Sequence, residues 1–271
     1  MRLKNSVMMG LAVLIGELIV YPQIVPWAAS TGFYTAFSLT AASMVINDYF
    51  DMAIDAVNEP ERPLPKGLIK PKNALTFSLI LGATGLASSY LDTLPCLGIA
   101  TLFLILSVLY NSRGKRTGLL GNMMVSACVA APFIYGGFAV KVVPNALLLV
   151  FAALAFLSNT GREVTKGIVD VEGDKLRNIK TVAIRYGAKI AATVASTFYI
   201  ASVALSSLPI IMREVNYLYI PLIIITDAGF LYSSASLVRN PSRENSRRTK
   251  KFVLIWMLLG MLSLILGGLK L

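Results

Sequence analysis

The sequence predicts an all-α membrane protein: a bundle of nine transmembrane helices with its N-terminus on the cytoplasmic side. Composition, segment length and charge placement carry that expectation. Of 271 residues, 56% are apolar and 14% charged, against about 25% charged in ordinary soluble domains. Mean hydropathy is +0.69. A soluble chain of this length could bury a large core, but it would still need a polar surface. This composition cannot supply one, so lipid is the solvent for much of the chain.

Nine apolar stretches approach the ~20 residues needed to cross a bilayer. They run over about 6–26, 31–52, 73–91, 94–111, 118–139, 144–166, 187–211, 217–238 and 251–269. The first follows a basic start and outlasts the ~7–15-residue core of a signal peptide, with no small-residue cleavage site, so it reads as a retained helix. The third and fourth are parted only by Asp92–Pro95, a tight turn. No soluble domain interrupts the series, so residues 1–271 read as one transmembrane domain.

Charge placement sets the orientation. With the N-terminus inside, 22 of the 25 Lys and Arg residues fall in cytoplasmic segments, and only Lys141, Arg213 and Lys270 fall outside. This asymmetry favours N-terminus in and C-terminus out, in the cell membrane. It also explains the net charge of +11 without a nucleic-acid partner. The basic 239–251 stretch reads as an orienting loop in contact with anionic lipid.

What the chain lacks narrows its chemistry. With no histidine, there is no Ser-His-Asp triad and no His-ligated zinc. Cys96 and Cys128 sit in or beside apolar stretches without ligand neighbours and read as packing residues. Carboxylates, Lys, Arg, Tyr and a metal remain.

The second stretch ends in Asn47-Asp48-Tyr49-Phe50-Asp51-Met52-Ala53-Ile54-Asp55. On a continued helix Asp48, Asp51 and Asp55 share one face, and Asn47 lies one turn from Asp51. A solvated helix end would explain a single Asp. Three on one face repel one another and need cations. An oxygen-only donor set suits Mg²⁺, commonly held by one or two carboxylates plus substrate phosphates. The Pro-rich loop that follows holds Arg62 and Lys66 near the acids, where they can neutralise phosphate oxygens.

The sixth stretch runs into Arg162, Lys166, Asp170 and Asp174, spaced by four. This stripe is either a second Mg²⁺ and diphosphate site or a ladder of i,i+4 ion pairs. Glu172 lies off it. Lys115 and Arg116 sit in another cytoplasmic loop, where topology alone would place them. Glu17 and Asp227 lie within apolar stretches, where ionisable groups are rare, and neither has an assigned role. The two acidic motifs end helices four apart, which hints at a repeat of four-helix units.

These residues carry a resemblance. Asn47–Asp55 matches the NDxxDxxxD signature, and Asp170–Asp174 the DxxxD signature, of the UbiA superfamily of intramembrane prenyltransferases. The resemblance spans essentially the whole chain. Within that superfamily, SNTGREVTKGIVDVEGD looks most like the archaeal digeranylgeranylglyceryl phosphate synthase branch. A YxxxK element of many relatives is altered here: Gly114 stands four residues after Tyr110, and Lys115 follows.

The resemblance implies a UbiA-type fold and a Mg²⁺-dependent prenyltransferase with its active site toward the cytoplasm. It implies transfer of a geranylgeranyl group from geranylgeranyl diphosphate to the free hydroxyl of geranylgeranylglyceryl phosphate. Asn47, Asp51, Asp170 and Asp174 would be the central residues, with Asp48 and Asp55 as further metal ligands. Arg62, Lys66, Lys115, Arg116, Arg162 and Lys166 would bind diphosphate. The partners would be these two lipid-like substrates and membrane lipids, with no obligate protein partner. An aromatic quinone precursor is an alternative acceptor. A transporter would place its acids near the midplane, whereas most here lie at cytoplasmic helix ends.

Overall fold

The computed structural model describes residues 3–21, 23–176 and 179–268. Arg2, Arg177 and Lys270, counted above for orientation, and position 269 of the last stretch lie outside the described residues. The chain is all-α where described, in the order α1 (Leu3–Val20), α2 (Pro26–Phe50), α3 (Met52–Asn58), α4 (Pro71–Asp92), α5 (Leu94–Ser112), α6 (Leu119–Ala139), α7 (Ala146–Val169), α8 (Val171–Leu176), α9 (Val182–Ser206), α10 (Leu208–Ile211), α11 (Tyr219–Arg239) and α12 (Arg243–Gly268). A 3₁₀ turn, Gly114–Arg116, precedes α6.

Nine of these helices have at least 18 residues, matching the nine expected stretches. Eight are long and apolar enough to cross a membrane. The ninth, α2, has the length, but its Ser and Thr residues lower its hydropathy. Several ends differ from expectation, among them the start of α2, at Pro26 rather than 31, where the proline occupies the first helical position. Helix α1 stops at Val20 rather than 26, ahead of Pro22, because the residue before a proline disfavours helical backbone. Helix α9 is broken at Gly187 (φ +85°, ψ 165°), where the expected stretch begins, and a short helical turn over 182–186 precedes the break, capped by the Thr181 side chain, which accepts from Ile184 N at 3.3 Å. Helix α12 starts at Arg243, so most of the basic loop expected at 239–250 is helical. Its residues are good helix formers, and Glu244 stands in the first turn.

Contacts divide the chain into two compact units, Met1–Arg113 with Ala131–Pro144, and Gly114–Ala130 with Asn145–Leu271. The boundary in α6 falls just before Pro132.

In the first unit α2 packs against α1, α4 and α5. A Cβ on Gly16 would stand 2.2 Å from Phe133 O, and one on Gly136 would stand 2.2 Å from Val13 O. Only glycine permits this approach of α1 and α6, a small-residue contact typical of membrane helices. Asp92, expected in a turn, is the last residue of α4 and is 9% exposed. It accepts hydrogen bonds from Thr31 and, at 2.6 Å, from Tyr135 Oη. Glu17 is also buried, and its Oε1 has no hydrogen-bond partner among the described residues.

In the second unit α7 packs against α9 and α12, and α11 against the same two helices. Val164, Ile168, Ala195, Tyr199, Phe230 and Val253 form its apolar core. Asp227 accepts from Ser206 Oγ at 2.7 Å. Both cysteines are free thiols, Cys96 buried and Cys128 half-buried.

Candidate active site

Each acidic motif sits where a long apolar helix breaks into a short one. Helix α2 ends at Phe50 and α3 begins at Met52. Asp51 between them has φ −90°, ψ 0°. Helix α7 ends at Val169 and α8 begins at Val171. Asp170 between them has φ −99°, ψ 12°. Both aspartates thus occupy the sparsely populated bridge region, where many active-site residues are found. The one-turn spacing survives both breaks. Asp51 N donates to Asn47 O at 3.0 Å and Asp55 N to Asp51 O at 2.8 Å. Asp170 N donates to Lys166 O at 3.0 Å and Asp174 N to Asp170 O at 2.9 Å. A helical stripe of acids is therefore kept, with a hinge in each helix that was not expected.

In the first unit Asn47 Nδ2 donates to Asp51 Oδ2 at 3.0 Å, which orients that carboxylate. Asp55 is 3% exposed. The loop after α3 turns back on itself, with Lys66 N bonded to Arg62 O and Leu68 N to Pro63 O. That fold returns Arg62 to the acids. Its Nη1 donates to Asp55 Oδ2 at 2.5 Å and stands 3.9 Å from Asp48 Oδ1, while Nε donates to Glu59 Oε2 at 2.8 Å. Burial works against the guanidinium charge, but the hydrogen bonds to Asp55 and Glu59 outweigh it and raise its pKa above the ordinary arginine value. Lys66 pairs instead with Glu61 in the same loop, at 2.5 Å.

In the second unit Glu163 holds two of the expected cations. Arg162 Nη1 donates to its Oε1 at 2.9 Å and Lys166 Nζ to its Oε2 at 3.2 Å. Glu163 was not among the expected site residues. Part of its signal was present, since a carboxylate three residues before a cation on a helix is placed to meet it, as Glu163 meets Lys166, whereas the pairing with adjacent Arg162 is not one that helical spacing favours. Arg162 Nε is buried without a hydrogen-bond partner among the described residues. Lys250 on α12, also missed, stands within electrostatic range of Asp170, Lys166, Arg162 and Glu163. Glu172 turns outward to Arg243 at 3.0 Å.

Lys115 and Arg116 lie on the 3₁₀ turn, Lys115 half-buried and Arg116 exposed. Gly118 anchors that turn. Its φ is +72°, and a Cβ there would stand 2.6 Å from Lys180 O.

Among the described residues no three acidic, His or Cys side chains converge to hold a metal unaided. Donors limited to carboxylate and amide oxygen fit Mg²⁺, which usually completes its shell with water and substrate phosphate.

Comparison with known proteins matches this architecture. A digeranylgeranylglyceryl phosphate synthase of Methanosarcina mazei is 34% identical over 280 residues, covering 98% of this chain and 96% of that protein. A solved structure of digeranylgeranylglyceryl phosphate synthase superposes with a TM-score of 0.90 at 33% identity, covering 100% of this chain and 96% of that one. A UbiA homolog from Archaeoglobus fulgidus, solved bound to GPP and Mg²⁺, shares the fold with a TM-score of 0.68 at 14% identity, covering 97% of this chain and 96% of that one. The UbiA prenyltransferase family profile runs through both units and both hinge motifs, over residues 9–262. With the helices and both acidic hinges in place, this multi-pass membrane chain belongs to the UbiA prenyltransferase family.

Proposed function

We propose that the chain transfers a geranylgeranyl group from geranylgeranyl diphosphate to the free hydroxyl of geranylgeranylglyceryl phosphate, giving digeranylgeranylglyceryl phosphate. The observation that carries the reaction class is the pair of aspartate hinges, each ending an apolar helix and each followed one turn later by a second acid. The likeness to digeranylgeranylglyceryl phosphate synthases over nearly the full chain narrows the acceptor. On this reading residues 1–271 act as one domain, with the N-terminus and active site toward the cytoplasm and no obligate protein partner.

Asn47, Asp48, Asp51 and Asp55 in the first unit, with Asp170 and Asp174 in the second, hold Mg²⁺. When bound, Mg²⁺ supplies Lewis-acid charge to the departing diphosphate. Arg62, Lys66, Lys115, Arg116, Arg162 and Lys166 add fixed positive charge for its oxygens. Arg62 must release Asp55 in part if that carboxylate is to serve a metal, so phosphate oxygens and Asp55 compete for one guanidinium. Breaking the allylic C–O bond leaves a carbocation, and the apolar helices keep water from it. The acceptor hydroxyl attacks C1 of the prenyl group, forms the ether C–O bond and passes its proton to an oxygen of the departed diphosphate or to solvent. Attack on a cation needs no strong base, so the chain's lack of histidine is no obstacle.

Purified protein with Mg²⁺ and both lipids should give the diether phosphate, and EDTA should abolish its formation. A product only with an aromatic acceptor would overturn the acceptor assignment. Undiminished turnover in EDTA would overturn the metal assignment.

A further inference from the structure

We propose that Lys250 on α12, flanking the Arg162 and Lys166 assigned above to the donor's diphosphate, forms with the free Nε of Arg162 a phosphate subsite that selects a phosphorylated lipid acceptor. The proposal deepens the reading above and rests on its phosphate-bearing acceptor.

Sequence placed Lys250 in a basic loop with an orienting role. The structure gives it a fixed direction, because α12 begins at Arg243, two turns earlier. Ser246, Thr249 and Val253 on the same helix are buried, at 0%, 3% and 0% exposure, and Lys250 is half-buried among them. Val253 belongs to the apolar core with Val164 and Ile168 of α7. The face carrying Lys250 is thus the face that meets α7, one turn above this packed contact. That position brings the ammonium within electrostatic range of Arg162, Lys166, Glu163 and Asp170.

Two buried donors on these helices lack an acceptor among the described residues. Arg162 spends Nη1 on Glu163, while its Nε is buried and unpartnered among the described residues. Ser246 Oγ, one turn before Lys250, is likewise buried and unpartnered. A buried N–H or O–H without a partner is unfavourable, and a phosphate oxygen is a strong acceptor for a guanidinium. The charges agree. Three cations face Glu163 and Asp170, and once Asp170 serves a metal only Glu163 opposes them. A phosphate monoester brings about −1.5 to −2 charges.

The donor's diphosphate has its charge met by metal ions on the two acidic motifs together with the cations beside them. An acceptor phosphate has no such metal and must be held by protein cations and N–H groups. Lys250, on a helix that carries neither motif, is suited to that task.

The test measures lipid binding to the full chain in nanodiscs without donor. Geranylgeranylglyceryl phosphate is compared with geranylgeranylglycerol, the same lipid lacking phosphate. Wild type should bind the phosphorylated form at least about tenfold tighter, and K250Q should lose about tenfold for that form alone. K250R should retain most of the preference, which also guards against misfolding of the glutamine variant. Equal affinity of wild type for the two lipids would overturn the subsite. So would unchanged binding in K250Q, or an equal loss for both lipids. A rise in KM for geranylgeranyl diphosphate in K250Q, with acceptor binding unchanged, would assign Lys250 to the donor and overturn it too. Failure of wild type to form the diether, with phosphate preference intact, would instead count against the proposed reaction.

Discussion

The two hinges have nearly the same backbone and different electrostatic surroundings. Asp51 and Asp170 both sit at φ near −90° and ψ near 0° between a long helix and a short one. Around Asp51 the acids are in excess, and one cation, Arg62, reaches back from the following loop to Asp55 and Asp48. Around Asp170 cations match the acids, with Arg162, Lys166 and Lys250 beside Asp170, Asp174 and Glu163, and Glu163 gathers Arg162 and Lys166 from the preceding turns. A repeated backbone device can thus carry two different charge balances. The first suits holding metal. The second suits holding metal beside phosphate.

If both hinges serve metal, neutralising either should be severe. Asp51→Asn and Asp170→Asn should each lower kcat by about 10²–10³-fold, the range for removing one transition-state electrostatic group. Single-turnover assays with saturating lipids would measure this. A fall of less than tenfold at one hinge, with full loss at the other, would break the equivalence and leave one motif as the sole metal site.

The next largest effect concerns stability and separates the two surroundings. Arg62→Ala leaves the 3%-exposed Asp55 without its guanidinium. Loss of a hydrogen bond to a buried charge should cost about 1–3 kcal/mol, read as a lower Tm in detergent. Arg62→Ala combined with Asp55→Ala should recover part of it. An additive double variant would show that the pair is not coupled.

This pair also marks the reach of sequence reasoning. The long helices were legible because lipid demands apolar runs of a set length, and the acid stripes because helical spacing survives the hinges. The hinges themselves were not legible, since a one-residue change in ψ leaves composition and spacing untouched. Partners distant in sequence were lost as well. Asp92 read as a turn residue because its ligands, Thr31 and Tyr135, come from α2 and α6. Lys250 read as a loop charge because only the early start of α12 turns it toward α7. Lys66 was placed near the acids by proximity, but Glu61, closer in the same loop, captures it.

A smaller effect is expected at Glu163. Its carboxylate is 11% exposed and takes hydrogen bonds from Arg162 and Lys166. Glu163→Gln keeps the shape and removes the charge, so stability should fall by roughly 1 kcal/mol. Because the two cations gain positive potential, binding of the phosphorylated lipid should hold or tighten. Weaker binding in Glu163→Gln would mean that Glu163 positions the cations more than it competes for them.

The smallest effect should come from the acid that lies inside the second signature yet off its stripe. Glu172 stands between Asp170 and Asp174 in sequence, but it is 78% exposed and paired with Arg243 at 3.0 Å. Exposed ion pairs contribute little to stability, and Glu172 is two residues from either acid of the stripe, where helical side chains do not face one another. Glu172→Gln should therefore change kcat and both KM values by less than about twofold. This substitution sharpens the comparison of the hinges, because the first motif has no acid in the corresponding place: Asp51 and Asp55 enclose only Met52, Ala53 and Ile54. A large loss in Glu172→Gln would mean that the second hinge recruits an acid the first lacks, and that the two motifs share a backbone form without sharing a ligand set.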